Sequence, residues 1–340
     1  MTRRILGLLG SAAIVAGAGA ATAGADGLPV LGVDVGSKGV TVPGAAARYV
    51  TLWAGPRSTV VARVARNGGR IVRSRVLQGL FTIPAVAYDR SASGLSADGR
   101  VLVLIQPRTS FPRARTSFAV FDARRLRLLE LLRLRGDFSF DAISPSGDRI
   151  YLIQYLSPTD PTKYAVRAYD VQAGRLLADP VVDPREADEQ MRGQPLSRAM
   201  SPDGRWAYTL YDGNGKTPFV HALDTSRATA RCIDLDALKK EKYLWSLRLD
   251  VGDGGKGLII RNDSVPELIV NTETFDVRNA PAPRTAAPAR SSLMAPWALT
   301  GIGLALAAVV GGVVLVVRRS LAGSPGTEES QGVGSTEAAT

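Results

Sequence analysis

Between residues 49 and 271 apolar and polar residues alternate in short runs, and Gly, Asp, Asn or Pro separates one run from the next. A period of two puts successive side chains on opposite faces, so each run predicts a β-strand. Runs at 100–106, 149–155, 205–211 and 256–261 follow a glycine turn. A second run then ends on Asp or Asn: 118–122 (FAVFD), 166–170 (VRAYD), 220–224 (VHALD) and 268–271 (LIVN). After a tight turn comes a further run at 126–134, 176–182 and 230–235. Upstream, 49–54, 59–64 and 71–77, with the turn Asn67-Gly68-Gly69, fit the same template.

The turns repeat as well. Residues 94–106 (GLSADGRVLVLIQ), 142–154 (AISPSGDRIYLIQ) and 199–211 (AMSPDGRWAYTLY) share a small or apolar run, a serine, a Pro/Asp/Gly turn and a strand. The run before the serine supplies a leading strand, which makes four per unit. Repetition at intervals of about 50 residues points to a tandem architecture. A four-stranded sheet of that size cannot bury both faces alone, and stacking such sheets about an axis solves the problem. The expected fold is all-β: a β-propeller of about five four-stranded blades within residues 26–280, the first and last degenerate.

The Ser-Pro-Asp-Gly turn at 201–204, its variants at 96–99 and 144–147, and the following strands that end in Asp resemble the YVTN/WD40-like (TolB-like) propellers of bacterial envelope proteins. The resemblance covers about residues 40–280. It implies a propeller and no particular chemistry. Two features depart from it. Five units stand where such families often have about six or seven, and Asp250-Val-Gly-Asp-Gly replaces the turn in the fifth. Residues 28–42, where Val33, Val35 and Val40 alternate, are a candidate closing strand.

One segment has two readings. Residues 124–135 (RRLRLLELLRLR) form either a basic amphipathic helix on a membrane surface or a strand. As a strand, Leu126, Leu128, Leu132 and Leu134 share one face, with an interruption at Leu129-Glu130-Leu131. The place of the segment in the repeat favours the strand.

The two ends carry targeting signals. Arg3 and Arg4 precede an uncharged stretch with small residues at Ala21, Ala23 and Ala25, which predicts a signal peptide over residues 1–25; an uncleaved anchor is the alternative. Residues 281–292 read as a Pro/Ala-rich stalk. Residues 295–317 carry no charge and suffice as a transmembrane helix, since a bilayer core needs about 20 helical residues; a buried core helix is the alternative. Trp297 suits the outer interface, and Arg318 and Arg319 close the stretch on the cytoplasmic side. Residues 318–340 are expected to be a disordered cytoplasmic tail. The expected localisation is the cell membrane, single-pass type I, with the bulk of the chain extracytoplasmic.

Charge narrows the partners. The formal net charge is +11, and most of it falls between the two ends. That balance favours a protein or an anionic envelope polymer as partner, although Arg outnumbers Lys 35 to 7, as GC-rich coding also produces. Nucleic acid is not expected, because no binding motif for it is present. The single histidine, His221, and the single cysteine, Cys232, both lie in strand-like runs and read as buried side chains. No catalytic residue, metal site or cofactor is predicted.

The longer connections, at 107–115, 157–163, 183–194, 212–218 and 236–243, would all emerge on one face of a propeller. That marks the face as the binding surface. Arg108, Arg113 and Arg115 lie there beside Phe111 and Pro112. They are the candidate partner-binding residues for a carboxylate or phosphate; a solvated loop is the plainer reading. Asp183, Glu186, Asp188 and Glu189 form an acidic counterpart on the inter-unit loop, expected to pair with them across the face. The expected function is a membrane-anchored, non-enzymatic binding or scaffold module. The alternative is a propeller-type hydrolase or lactonase with a carboxylate-bound metal at the axis. A receptor whose tail recruits a cytoplasmic partner is a third reading.

Overall fold

Each strand meets its sequence neighbour in antiparallel register, and five sheets result. The structure, a computed structural model, describes residues 39–67, 69–187 and 191–281. The expected signal peptide, the stalk beyond Pro281, the transmembrane helix and the tail lie outside the described residues. Among the described residues no helix is long and apolar enough to cross a membrane.

The first sheet comprises β1 (Ala47–Trp53), β2 (Ser58–Ala65) and β3 (Ile71–Gln78). The second has β4 (Val101–Ile105), β5 (Arg115–Asp122) and β6 (Arg127–Arg135). The third has β7 (Phe138–Ile143), β8 (Arg149–Tyr155), β9 (Tyr164–Asp170) and β10 (Arg175–Val181). The fourth has β11 (Pro195–Met200), β12 (Trp206–Tyr211), β13 (Phe219–Asp224) and β14 (Thr229–Asp234). The fifth has β15 (Leu247–Val251), β16 (Gly257–Asn262), β17 (Val265–Asn271) and β18 (Val277–Asn279).

Four strands per unit hold for the last three sheets, and the first two depart from it. There the leading position is filled by segments that touch through single bridges: Val40 to Tyr49, and Thr82 and Leu95 to Ile105 and Leu102. Residues 82–95 double back on themselves at Ala85 and Ala92. Pro84 has no N–H to offer a ladder. Gly94 sits at φ 104, where a Cβ would lie 2.5 Å from the Val103 carbonyl oxygen. Both features interrupt a regular strand. Of the candidate closing strand only residues 39–42 are described, and Val40 pairs within the first sheet.

The sheets stack face to face in chain order, as propeller blades do. Tyr49, Val61 and Leu77 of the first pack on Leu102, Leu104 and Phe121 of the second. Val103 and Phe118 pack on Phe140, Ile150 and Leu152 of the third. Tyr151 and Val166 pack on Ala207 and Leu223 of the fourth. Tyr208, Leu210 and Val220 pack on Leu249, Leu258 and Ile260 of the fifth. Because both faces of β4 and β8 are covered, their sequences are nearly continuous apolar runs.

The three Ser turns are equivalent. The hydroxyls of Ser96, Ser144 and Ser201 accept from the N–H groups of Val101, Arg149 and Trp206 at 2.9, 3.0 and 2.8 Å. Each also donates to an aspartate, Asp98, Asp148 and Asp203 respectively. The turns meet at one end of the stack. Asp98 N–H donates to the Pro145 carbonyl at 3.1 Å. Gly204, at φ 73, lies so close to Ala97 that a Cβ would sit 2.5 Å from the alanine methyl.

Residues 124–135 adopt the strand reading, as β6, with one correction. A β-bulge lies between the pairs Val120–Glu130 and Phe121–Leu128 and leaves Leu129 as the extra residue. The bulge resets the alternation. Leu126, Leu128 and Leu131 therefore pack toward the first sheet, while Leu132 and Leu134 pack toward the third.

Candidate functional site

Antiparallel four-stranded units place their Ser turns at one end and their longer connections at the other. At that second end, the doubled-back segment of the second sheet reaches across to the fourth. Tyr88 and Asp89 N–H groups donate to the Pro195 and Leu196 carbonyls at 2.9 and 3.1 Å. Backbone hydrogen bonds therefore tie the second sheet to the fourth at that end.

The three expected arginines do not converge. Arg108 is buried, with Nη1 2.5 Å from Asp137 Oδ2 and Nη2 3.1 Å from Ser139 Oγ. Its guanidinium lies 4.9 Å from the Tyr155 ring centre and 5.6 Å from that of Phe111. Arg113 donates to Asp137 through its backbone N–H at 3.0 Å and Nε at 3.3 Å, and to the Gln106 and Phe138 carbonyls. Burial and the neighbouring Arg108 lower the Arg113 pKa to about 10, with Asp137 opposing, so it stays cationic at neutral pH. Arg115 starts β5, is exposed, and faces Arg135 in register. The expected basic cluster is thus a buried pair of guanidiniums on Asp137 and one separate surface arginine. The acidic counterpart does not reach them: Asp183 binds Arg185 of its own loop at 2.5 Å. Asp188 and Glu189 lie outside the described residues.

A second buried ion pair stands deeper. Asp141 is the extra residue of a bulge in β7, between the pairs Phe140–Leu152 and Ala142–Tyr151. A bulge re-aims its side chain. Arg198 of β11 binds Asp141 Oδ1 through Nη2 and the Asp141 carbonyl through Nη1 at 3.0 Å. Asp141 Oδ2 has no hydrogen-bond partner. Asp141 lines a cleft walled by Tyr155, Tyr164, Tyr211 and Pro161. The rings form a row. Phe111 meets Tyr155 at 5.6 Å, Tyr155 meets Tyr164 at 6.3 Å, and Tyr164 meets Tyr211 at 6.2 Å. Burial raises all three tyrosine hydroxyls, Tyr155 to about 12, so they stay protonated.

A second cleft opens between the third and fourth sheets beside β14. His221 of β13 and Cys232 of β14 are direct register partners and both line it, with Asp183, Glu186, Arg192 and Asp234. The Asp183 carboxylate accepts from the Cys232 N–H at 2.9 Å. Burial alone would raise the Asp183 pKa, but hydrogen bonds from Arg185 and Cys232 outweigh it and hold the group below the usual carboxylate range. Burial lowers the His221 pKa to about 4, against the pull of Asp141. The imidazole is therefore neutral at physiological pH. Sequence reasoning placed both residues on strands and missed that they face each other. The signal was there: counting outward from the Asp224–Thr229 turn pairs 221 with 232.

The outer surface of the loop end carries apolar side chains. Leu156, Tyr243 and Trp245 are 57%, 73% and 47% exposed. The Trp245 ring meets Tyr88 edge-on at 5.1 Å. Lys239, Lys240 and Lys242, on the same connection as Tyr243 and Trp245, are also exposed.

No protein-family model matches the chain, and no curated protein matches it. Solved structures similar to it include hydrazine synthase of Kuenenia stuttgartiensis, at 16% identity and a TM-score of 0.38, covering 71% of this chain and 70% of that one. A prolyl endopeptidase matches at 10% identity and a TM-score of 0.40 over 70% of this chain; the match spans 35% of the endopeptidase. A protein of Agrobacterium tumefaciens described as a TolB matches at 11% identity and a TM-score of 0.34, covering 68% of this chain and 79% of that one.

Proposed function

We propose that this protein is a non-enzymatic binding module, held extracytoplasmically at the cell membrane, whose loop end docks a protein partner. The observation that carries the reading is the exposed group Leu156, Tyr243 and Trp245 on connections that leave the same end of the stack. Aromatic side chains on a rigid scaffold supply much contact area for little lost entropy, and they dominate the energetics of protein interfaces. The adjoining Lys239, Lys240 and Lys242 suit a partner with an acidic rim.

The alternative, a hydrolase with carboxylate-bound metal at the axis, needs several uncommitted carboxylates at one point. Asp137 and Asp141, at and within the innermost strand β7, are each engaged by arginine, and backbone hydrogen bonds tie the second sheet to the fourth at the loop end. Both facts weigh toward binding.

A photo-crosslinking residue at position 243 of the full chain, expressed in its own cells, tests the reading. The expected result is one discrete protein adduct that Trp245→Ala removes and that is missing when the crosslinker sits at Ser226 on the opposite end. Equal labelling from both ends would sink the proposal. So would an adduct with envelope polymer in place of protein, abolished by changing the three lysines to Glu.

A further inference from the structure

The only histidine and the only cysteine of 340 residues stand opposite each other on neighbouring strands. In an antiparallel pair, directly opposed residues project to the same side of the sheet. The Cys232 N–H points away from β13, to Asp183, so the pair is of the non-hydrogen-bonded kind, in which side chains approach most closely. Both side chains enter the cleft between the third and fourth sheets.

Two acidic groups join them. One ligand atom each from Asp183, Glu186 and Cys232 lies within 4.8 Å of the other two. A tetrahedral zinc with Zn–S near 2.3 Å and Zn–O near 2.0 Å holds such atoms about 3.3–3.5 Å apart, so the three groups must close by up to about 1.5 Å, and His221, which stands outside that group of three, must move in as well. His221 is 2% exposed, borders the cleft, and makes no hydrogen bond to any described residue. Its ring nitrogens are not among the sealed polar atoms that lack a partner; the ring lines the cleft, where a nitrogen lone pair can meet a ligand.

We propose that this cleft binds a thiophilic divalent cation of the zinc type. Cys232, Glu186 and Asp183 coordinate it, and the His221 ring closes onto it as the fourth ligand. A mixed S/N/O donor set is suited to zinc and unsuited to calcium or magnesium, which take oxygen donors. Cys232 releases its thiol proton to solvent on binding. Arg185, 45% exposed, holds the Asp183 carboxylate and the Cys232 carbonyl and must turn outward for Asp183 to take the cation. Arg185 and Arg192 balance the carboxylates of Asp183, Glu186 and Asp234 to within one charge. The cation would tie the connection after β10 to the face of the fourth sheet. Its lining shares no residue with the Leu156, Tyr243 and Trp245 surface assigned to a partner, so the two proposals fail separately.

Metal-free full-length protein titrated with Co²⁺ tests this. A thiolate-to-cobalt charge-transfer band can come only from Cys232. The expected result is a band that saturates at one equivalent and is displaced by Zn²⁺. It should be lost in Cys232→Ser, and affinity should fall at least about tenfold in His221→Gln and in Glu186→Gln. Lack of a saturating band in the parent protein overturns the site outright. Unchanged affinity in folded His221→Gln removes the histidine and overturns the proposal as stated. If that variant does not fold, Glu186→Gln decides: unchanged affinity there overturns the site, and a tenfold loss supports it.

Discussion

Asp122, Asp170 and Asp224 close the same strand in successive sheets, and each accepts from the N–H groups of the turn that follows. Asn271 does the same in the fifth sheet, to Glu273 and Thr274. The amide keeps the acceptor and drops the charge. Asp224 also holds Arg205 at 2.6 Å. Burial works against its ionised form, but the Arg205 and turn hydrogen bonds outweigh burial and lower its pKa. The stability it contributes is therefore complete above the unfolded value, about 3.9, and is lost as pH falls through the lower folded value. Asp224→Asn should flatten that acid slope in urea midpoints measured from pH 7 downward. It should cost less at pH 7 than Asp224→Ala, for which about 2 kcal/mol is expected.

Asp137 presents the larger case at this scale. Removing it strands Arg108, whose side chain is 4% exposed. Leaving a buried charge unpaired costs about 3–5 kcal/mol, and Asp137→Ala should show a loss of that order in urea unfolding. Arg115→Ala, at an exposed site, should stay within about 0.5 kcal/mol. The contrast separates three arginines that look alike in the sequence.

Among elements, β6 is the most instructive. One extra residue in a strand moves every later side chain to the other face. Leu129 takes up that shift in solvent, 44% exposed, while Leu132 is 5% exposed against the third sheet. Leu129→Ser should leave the urea midpoint nearly unchanged. Leu132→Ala should cost about 2–4 kcal/mol through the cavity it leaves. Equal costs would mean that the bulge lies elsewhere. The bulge at Asp141 in β7 serves a different end, turning a carboxylate toward Arg198 of another sheet.

For the whole molecule, the two ends of the stack differ in chemistry. One end is a set of interlocked polar turns. The other carries long connections, two clefts and exposed aromatics. Trp245 contacts Tyr88 but contributes little to the core. Trp245→Ala should therefore leave thermal stability unaltered and weaken partner binding by about 2 kcal/mol, roughly 30-fold, as read by titration once the partner is isolated. A drop in melting temperature that tracks the binding loss would make the tryptophan structural.

Strand positions, turn positions and the number of sheets were legible in the amino-acid sequence, because alternation and Ser/Asp/Gly turns are local signals. The strand reading of residues 124–135 succeeded for the same reason. The broken leading segment of the second sheet was not legible: its backbone bonds go to β11, more than a hundred residues away. The same limit applied to the arginines. Arg108 looks like a loop residue until Asp137, 29 positions on, is folded against it. His221 and Cys232 were two ordinary strand residues until hairpin register set them face to face. The sequence by itself determined which residues form strands and where those strands turn. The tertiary structure alone decided which charges neutralise each other and which donors share a cleft, because those pairings depend on sheets meeting in space.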